Sequence, residues 1–320
     1  MPSYQDIIDA YEMIKNFINK TPVMTSRTLN EKTEAEIFLK CENFQKVGAF
    51  KMRGAINAIS HLSEEQKNKG VITHSSGNHA QAVALSAKLL DIHATIVMPE
   101  TSPEVKIRAT RDTYSANVVL CENTIEARQN TTEILINKHG YTLIHPYDNE
   151  HVIAGAGTAA YELLQEIDDL NMIFAPIGGG GLLSGTSIAT KGFDSYIQVF
   201  GVEPQNVDDA YRSLQTGKIQ TNRTINSIAD GLLTNLSQRT FSIIRKNVDQ
   251  IITISEQQIL DTMKFLWERM KLVVEPSGAC SLGGVLSNKV SVQNKRIGVI
   301  VSGGNVDLSE FFKDYEKIIQ

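Results

Sequence analysis

Met172-Ile173-Phe174-Ala175-Pro176-Ile177-Gly178-Gly179-Gly180-Gly181-Leu182-Leu183-Ser184-Gly185 is the stretch whose reading decides the fold. Its apolar first half reads as a buried strand. The glycines that follow cannot stabilise helix or strand, because glycine costs backbone entropy and adds no packing. Such a run can supply a turn whose N–H groups point inward at the start of the next helix, the geometry that holds a phosphate. A flexible connector is the plain alternative. A dinucleotide fingerprint needs glycine at 183 or 184, where Leu183 and Ser184 stand, and the Gly-Lys-Ser/Thr of a Walker loop is absent. The run therefore reads as a phosphate cup without a nucleotide signature.

Outward from this point the chain alternates strand, loop and helix. Ile7, Ile8, Tyr11, Ile14 and Ile18 have helical spacing and predict a helix over 4–19, ended by Thr21-Pro22. Strands are predicted at 36–41, 70–74, 94–98, 117–121 and 141–144, with helices from 50, over 80–90, near 103–113 and over 124–139. Beyond them come a helix over 154–166, a strand over 196–202, helix and loop over 207–247, and a strand over 250–254. A helix over 256–271 buries Ile259, Met263, Leu266 and Met270, and the last strand spans 296–301. This alternation indicates a parallel sheet covered on both faces. With no repeat and no linker-like tract, any second domain is nested within the first.

Length and charge narrow the function. The 320 residues allow a large core, and 42% hydrophobic with 21% charged residues is an ordinary globular composition. A net charge of −5 and no basic run argue against nucleic-acid binding. The start lacks a secretion-signal pattern, no stretch has the length of a membrane span, and Cys41, Cys121 and Cys280 follow no pairing pattern. A cytoplasmic protein with reduced thiols is the expectation.

Loops after strands or at helix starts carry the candidate chemistry, where open α/β sheets bind ligands. Lys51 follows Phe50 at a helix start, a setting that lowers an amine's pKa and makes it nucleophilic; an ordinary solvated lysine is the alternative. Ser75-Ser76-Gly77-Asn78-His79 suits a carboxylate, or is a plain capped turn. Ser302-Gly303-Gly304-Asn305 closes the last strand as a site loop or a simple turn. Glu203-Pro204 with Asp208-Asp209 offers hard oxygen ligands for Mg²⁺ or Ca²⁺, or is a solvated acidic loop.

Together these loops resemble the serine racemase and serine/threonine dehydratase branch of the fold-type II pyridoxal-phosphate (PLP) enzymes, over nearly the whole chain from Thr21-Pro22 to Leu308. The resemblance implies a tryptophan synthase β-like α/β fold of two open, twisted, mostly parallel sheets with flanking helices. It implies a large PLP-binding domain of residues 1–69 and 148–320, and a small inserted domain of 70–147 that closes over substrate. By the same resemblance, Lys51 is the Schiff-base lysine and catalytic base, and Phe50 lies beneath the cofactor ring. Gly178, Gly179, Gly180 and Gly181 hold the phosphate, Asn78 the phenolic oxygen and Ser302 the pyridine nitrogen. Ser75, Ser76, Asn78 and His79 grip the substrate carboxylate, with Ser76 on the opposite cofactor face from Lys51. Glu203, the Val207 carbonyl and Asp209 match a divalent-cation site for Mg, Mn or Ca.

The implied reaction is β-elimination from L-serine or L-threonine to a 2-oxo acid and ammonia, with serine racemisation. Dehydration of 3-hydroxyaspartate is the alternative, and a non-catalytic PLP or amino-acid sensor a remoter one. A serine at the pyridine nitrogen leaves that nitrogen unprotonated and the phosphate placed to act as acid. Trp267 to Lys271 and Glu275-Pro276 look racemase-like. Ala49 replaces a usual serine, Gly155-Ala156-Gly157-Thr158 stands for the usual Gly-Gln-Gly-Thr, and Tyr147 replaces the asparagine of mammalian racemases, as in bacterial dehydratases. A homodimer and ATP as effector are implied by resemblance only. With no regulatory domain expected after Gln320, a feedback-inhibited biosynthetic deaminase is not the expected type. The residues around Lys51 and His79 also speak against a cysteine-synthase-like β-replacement enzyme.

Overall fold

The computed structural model describes residues 1–102, 104–308, 311, 312 and 315. The strands, in chain order, are β1 (Val23–Met24), β2 (Glu36–Cys41), β3 (Val71–His74), β4 (Ala94–Pro99), β5 (Asn117–Cys121), β6 (Thr142–Leu143), β7 (Met172–Pro176), β8 (Gln198–Pro204), β9 (Gln250–Ile254) and β10 (Arg296–Val301). They form a six-stranded sheet, β1-β2-β10-β7-β8-β9, and a four-stranded sheet, β5-β4-β3-β6. All neighbours run parallel except the short β1 on β2. The second sheet is drawn from a continuous part of the chain, between Val71 and Leu143.

Burial on both faces explains why the inner strands read as unbroken apolar runs. Every residue of β7 is buried, and so is β10 from Ile297 on. Val299 pairs with Phe174, so the loops leaving β10 and β7 emerge side by side at one sheet edge. That register places the Ser302 loop next to the glycine run.

Three helices then set the distance between Lys51 and the glycines. The helix Glu150–Glu166 lies between the helix Lys51–Ser60 and the helix Gly181–Phe193, and glycines line both crossings. A Cβ on Gly54 would sit 2.8 Å from the Val152 carbonyl oxygen, and one on Gly155 would run into the carbonyl of Arg53. On the other side, a Cβ on Gly185 would meet the Gly157 nitrogen at 2.6 Å. The helices therefore touch backbone to backbone, and the middle one is a spacer of set thickness. The sequence Gly155-Ala156-Gly157 thus has one glycine for each neighbour.

The structure adjusts several expectations. The first helix is Tyr4–Ile14 and ends in a turn, although Ile18 stays buried and prolongs the apolar pattern beyond it. The strand expected from Tyr196 starts at Gln198, because Tyr196 is 91% exposed in the turn made by Asp194. The helix expected near 103–113 is an α-helix, Glu104–Arg108, followed by a wider π segment, Ala109–Thr113; its expected first residue, 103, lies outside the described residues. The helix expected from 154 starts at Glu150, where the Asn149 side chain accepts from the His151 and Val152 N–H groups. Helices Arg27–Thr33, Glu64–Lys69 and Pro276–Leu286 are additions to the elements read from the sequence. Among the described residues no helix is long and apolar enough to cross a membrane.

Candidate active site

Helix caps separate scaffold from site. The helices beginning at Tyr4, Arg27, Glu64, Ile125, Glu150, Gln238 and Glu256 each have a Ser, Thr or Asn whose side chain accepts from a first-turn N–H. Those beginning at Lys51, Asn78, Gly181, Asp209 and Pro276 have no capping side chain. At Asn78 and Gly181 the first-turn N–H groups carry a partial positive charge that suits an anionic ligand. At the Lys51 start the Ala49 and Phe50 carbonyls accept instead, at the Asp209 start the Glu203 and Asn222 side chains, and at the Pro276 start the Glu275 carbonyl. Each uncapped start adjoins a candidate site residue.

Lys51 is the first residue of its helix, with the Phe50 ring 5.1 Å from its Nζ. Nζ donates to the carbonyl oxygen of Pro146 at 2.8 Å. Burial lowers its pKa to about 8, with the carboxylate of Glu275 acting in the opposite direction. The neutral amine is therefore accessible near physiological pH. Phe50 in turn donates its backbone N–H to the Ser302 carbonyl at 3.0 Å, and Ala49 bridges Gly303, so Lys51 and the Ser302 loop are joined by main chain. His145 shapes the segment holding Pro146, its Nδ1 accepting from the Asp148 N–H at 2.9 Å. Burial pushes the His145 pKa down to about 4, which keeps that nitrogen free to accept.

Asn78 faces Lys51's surroundings from the second sheet. Its Nδ2 donates to both oxygens of Glu275, at 2.8 and 3.1 Å, and its Oδ1 accepts from Asn305 Nδ2 at 2.8 Å. Ser75 and Ser76 are half-buried in the loop before this helix, and Ser75 Oγ accepts from the Gly77 N–H. The His79 side chain is buried and directs Nε2 at the Ile144 carbonyl oxygen, 2.9 Å away. Burial drives its pKa well down. His79 contributes to the loop its backbone N–H, in an uncapped first turn.

The glycine run is a cradle in which each glycine has a spatial reason. Gly180 adopts a φ of +87°, a conformation side chains disfavour. A Cβ on Gly179 would collide with the Tyr147 ring, one on Gly181 would lie 2.9 Å from Tyr147 Cβ, and one on Gly178 would lie 2.8 Å from Leu232 Cα. Tyr147 therefore lies directly on the loop. Ser302 is buried, its Oγ 3.4 Å from the Ser277 carbonyl at the uncapped start of the helix Pro276–Leu286.

Glu203 and Asp209 form a separate centre at the end of β8. The solvated-loop alternative fails: each is only 1% exposed, and Val207 between them is buried. Burial raises the Glu203 pKa well above the carboxylate range, with the Asp209 charge adding to it, and burial raises that of Asp209 to about 6. Glu203 accepts from the Tyr211 N–H at 2.7 Å, and Asp209 Oδ2 from that of Leu236 at 3.2 Å. Asp209 Oδ1 has no hydrogen-bond partner. Among the described residues there is no group of three or more His, Cys, Asp or Glu side chains suited to a metal, so any cation here relies on this pair with carbonyl and water oxygens. Leu236 connects the two centres, since its side chain packs 2.8 Å from where a Gly180 Cβ would be.

Sequence reasoning does not identify the carbonyl of Pro146, the role of His145, or Asn305 as a partner of Asn78. Glu275 stands out there only as part of a family-like dipeptide, and its contacts with Asn78 emerge from the fold. A carbonyl has no residue-type signature, so Pro146 leaves no signal to find.

Two mostly parallel sheets whose loops bring a half-buried lysine, a glycine cradle and a serine–asparagine loop together define the fold-type II class of α/β enzymes. The chain belongs to the pyridoxal-phosphate dependent enzyme family, whose model matches residues 14–303. It is 49% identical to an L-threo-3-hydroxyaspartate ammonia-lyase of Saccharomyces cerevisiae, over 97% of this chain and 95% of that protein. The crystal structure of serine racemase from Dictyostelium discoideum superposes with a TM-score of 0.90 at 48% identity, covering 96% of this chain and 99% of that one. The crystal structure of a T.th. threonine deaminase superposes with a TM-score of 0.90 at 41% identity, covering 96% of this chain and 99% of that one.

Proposed function

We propose that this protein removes the β-hydroxyl and amino groups of L-serine or L-threonine, releasing a 2-oxo acid and ammonia, and also racemises serine. The observation that carries this reading is Lys51: an amine at an uncapped helix start, held by a backbone carbonyl and shifted toward its neutral form. The residues fit PLP: the glycine cradle would hold its phosphate, Lys51 its aldehyde carbon covalently, Asn78 its phenolic oxygen and Ser302 its pyridine nitrogen. When bound, PLP supplies an electron sink for the negative charge left at the substrate's α-carbon.

The chain's own groups do the rest. Lys51, once released by the substrate amine, takes the α-proton as general base, and a pKa near 8 suits that work. The hydroxyls of Ser75 and Ser76 and the open N–H groups at Asn78 and His79 hold the substrate carboxylate at a helix N-terminus. Ser76 is the second proton carrier: returning a proton from its side instead of Lys51's inverts the centre. Phe50 and Tyr147 shield the site from water. The part of the chain over 70–147, which includes the second sheet, acts as the small domain that closes over substrate.

Glu203, Asp209 and the Val207 carbonyl would hold Mg²⁺, Mn²⁺ or Ca²⁺, and the unpartnered buried oxygen of Asp209 supports that reading. Homodimerisation and activation by ATP rest on resemblance, and a cytoplasmic location on three cysteines that are all free. A second reading, dehydration of L-threo-3-hydroxyaspartate, is favoured by the 49% identity to the yeast ammonia-lyase. Product analysis with L-serine, L-threonine and L-threo-3-hydroxyaspartate tests both. Pyruvate plus D-serine from L-serine supports the first reading, turnover of hydroxyaspartate alone supports the second, and no product from any of them with PLP attached overturns both.

A further inference from the structure

Behind Lys51, on the side of its helix away from the site, is a completely buried cluster of charges. Arg53 makes a two-pronged contact with Glu42, Nε to Oε2 at 2.7 Å and Nη2 to Oε1 at 2.8 Å. A second two-pronged contact joins it to Glu162, Nη1 to Oε1 and Nη2 to Oε2, both at 2.8 Å. Lys40 Nζ completes Glu162 at 2.7 Å and also donates to the Thr21 carbonyl. The Thr21 hydroxyl donates to Glu42, and the Thr158 hydroxyl accepts from Arg53 Nη1 at 3.2 Å. Two cations balance two carboxylates, and every formal charge has a partner.

Stability alone is a weak reason for such a cluster, since buried ion pairs can often be replaced by apolar residues without loss, whereas geometric specificity is a better-attested use. The local structure supplies the need for it. The Lys51 helix starts with no capping side chain; backbone bonds from Met52 to Ala49 and from Arg53 to Phe50 close its first turn but leave its roll against the core to side-chain contacts. Residues two apart on a helix project on nearly opposite sides. Arg53 thus reaches into the core while Lys51 reaches into the site, and any roll of the turn moves both. A roll of about 10° displaces a lysine tip by roughly 1 Å, and a misplacement of about 1 Å can cost about 10²-fold in rate.

We infer that Arg53 is a positioning residue for Lys51: clasped between Glu42 at the end of β2 and Glu162 on the spacer helix, it sets the roll of the turn from which Lys51 projects. The Gly54–Gly155 crossing sets the distance between the two helices, and the Arg53 fork prevents their rotation against each other.

The test compares Arg53→Lys, which keeps the charge and loses the fork, with Lys40→Met, which leaves both Arg53 forks intact. Full-length apo-protein is mixed with PLP at a temperature where circular dichroism shows both variants folded, and covalent capture by Lys51 is followed with borohydride trapping and peptide mass. Arg53→Lys is expected to slow capture at least about tenfold and to shift its pH midpoint, while Lys40→Met lowers Tm and leaves capture within about twofold. Equal capture rates in the two variants overturn the inference. If Arg53→Lys does not accumulate folded, Thr158→Val, which removes the contact to Nη1 and the hydroxyl's own bond to the Gly155 carbonyl, takes its place beside Thr158→Ser, which keeps a hydroxyl there: a severalfold slower capture in Thr158→Val alone supports the inference and an unchanged rate overturns it. The inference rests on Lys51 carrying the cofactor, and the same samples keep the two apart. Label on another lysine in the unsubstituted protein removes the Lys51 reading, whereas label on Lys51 at an unchanged rate in Arg53→Lys removes only the role of Arg53.

Discussion

The side chain of Lys51 and the carbonyl of Pro146, 95 residues apart in the chain, are joined by a 2.8 Å hydrogen bond. The bond ties the helix Lys51–Ser60, packed against the spacer helix Glu150–Glu166, to the segment that follows the last strand of the four-stranded sheet. The amine is held next to the glycine cradle through Tyr147, the residue after Pro146, whose ring lies on Gly179 and Gly181.

Capture of PLP by the apo-protein is expected to follow the ionisation of Lys51. Because burial brings its pKa to about 8, the capture rate rises with pH through a midpoint near there. Stopped-flow absorbance near ~410 nm, the usual region for lysine–PLP conjugates, reads it. The Glu275 carboxylate favours the charged amine, so Glu275→Gln moves the midpoint lower. A midpoint near the ordinary lysine value of about 10.4 would contradict the reading of the site.

Gly179→Ala puts a methyl group against the Tyr147 ring. Overpacking of this kind costs about 1–3 kcal/mol, so retention of PLP is expected to weaken by roughly 10- to 100-fold. Tyr147→Ala in the same chain relieves the collision and restores much of the affinity, as measured by titrating cofactor fluorescence. Lack of rescue in the double variant would show that Gly179 is needed for its backbone conformation rather than for space.

The carboxylate pair gives a pH-dependent cation effect. Asp209 has a folded-state pKa of about 6, above the unfolded value of about 3.9. In cation-free protein the folded state therefore holds the proton longer, and this group's contribution to stability falls as pH rises from about 4 to 6. A bound cation compensates the ionised form. The gain in Tm from Mg²⁺, Mn²⁺ or Ca²⁺ over EDTA is thus expected to grow through that window and to vanish in Asp209→Asn. A cation effect of equal size at pH 4 and pH 7 would dismiss the site.

Ser76→Ala separates the two proposed outcomes of the reaction. Formation of D-serine from L-serine is expected to fall at least about 10²-fold, the lower range for a lost acid–base group, while pyruvate formation from L-serine changes severalfold. Chiral chromatography with a coupled 2-oxo acid assay measures both. Parallel loss of the two products would deny Ser76 a separate proton-carrying role.

Much of this is legible in the chain because its punctuation is strong. Buried strands such as β7 and β10 announce themselves as apolar runs, and Ser3, Ser63, Ser237 and Ser255 mark helix starts with paired side-chain caps. The helix Pro276–Leu286 escapes a sequence reading because burial from Pro276 to Val285 leaves no amphipathic period to read. At the site, Lys51, Asn78, Gly178 to Gly181 and Ser302 stand out by residue type and position. Relations between distant residues do not. The bonds from Asn78 to Glu275, from Lys51 to Pro146 and from Arg53 to Glu162 join positions 197, 95 and 109 residues apart, and no local pattern encodes them.

The attachment residue is tested most directly by reducing the PLP-loaded protein with borohydride and mapping the modified peptide by mass spectrometry. The label is expected on Lys51, with none on any other lysine and none in Lys51→Ala. Label on a different lysine, or full labelling of Lys51→Ala, would contradict the central claim.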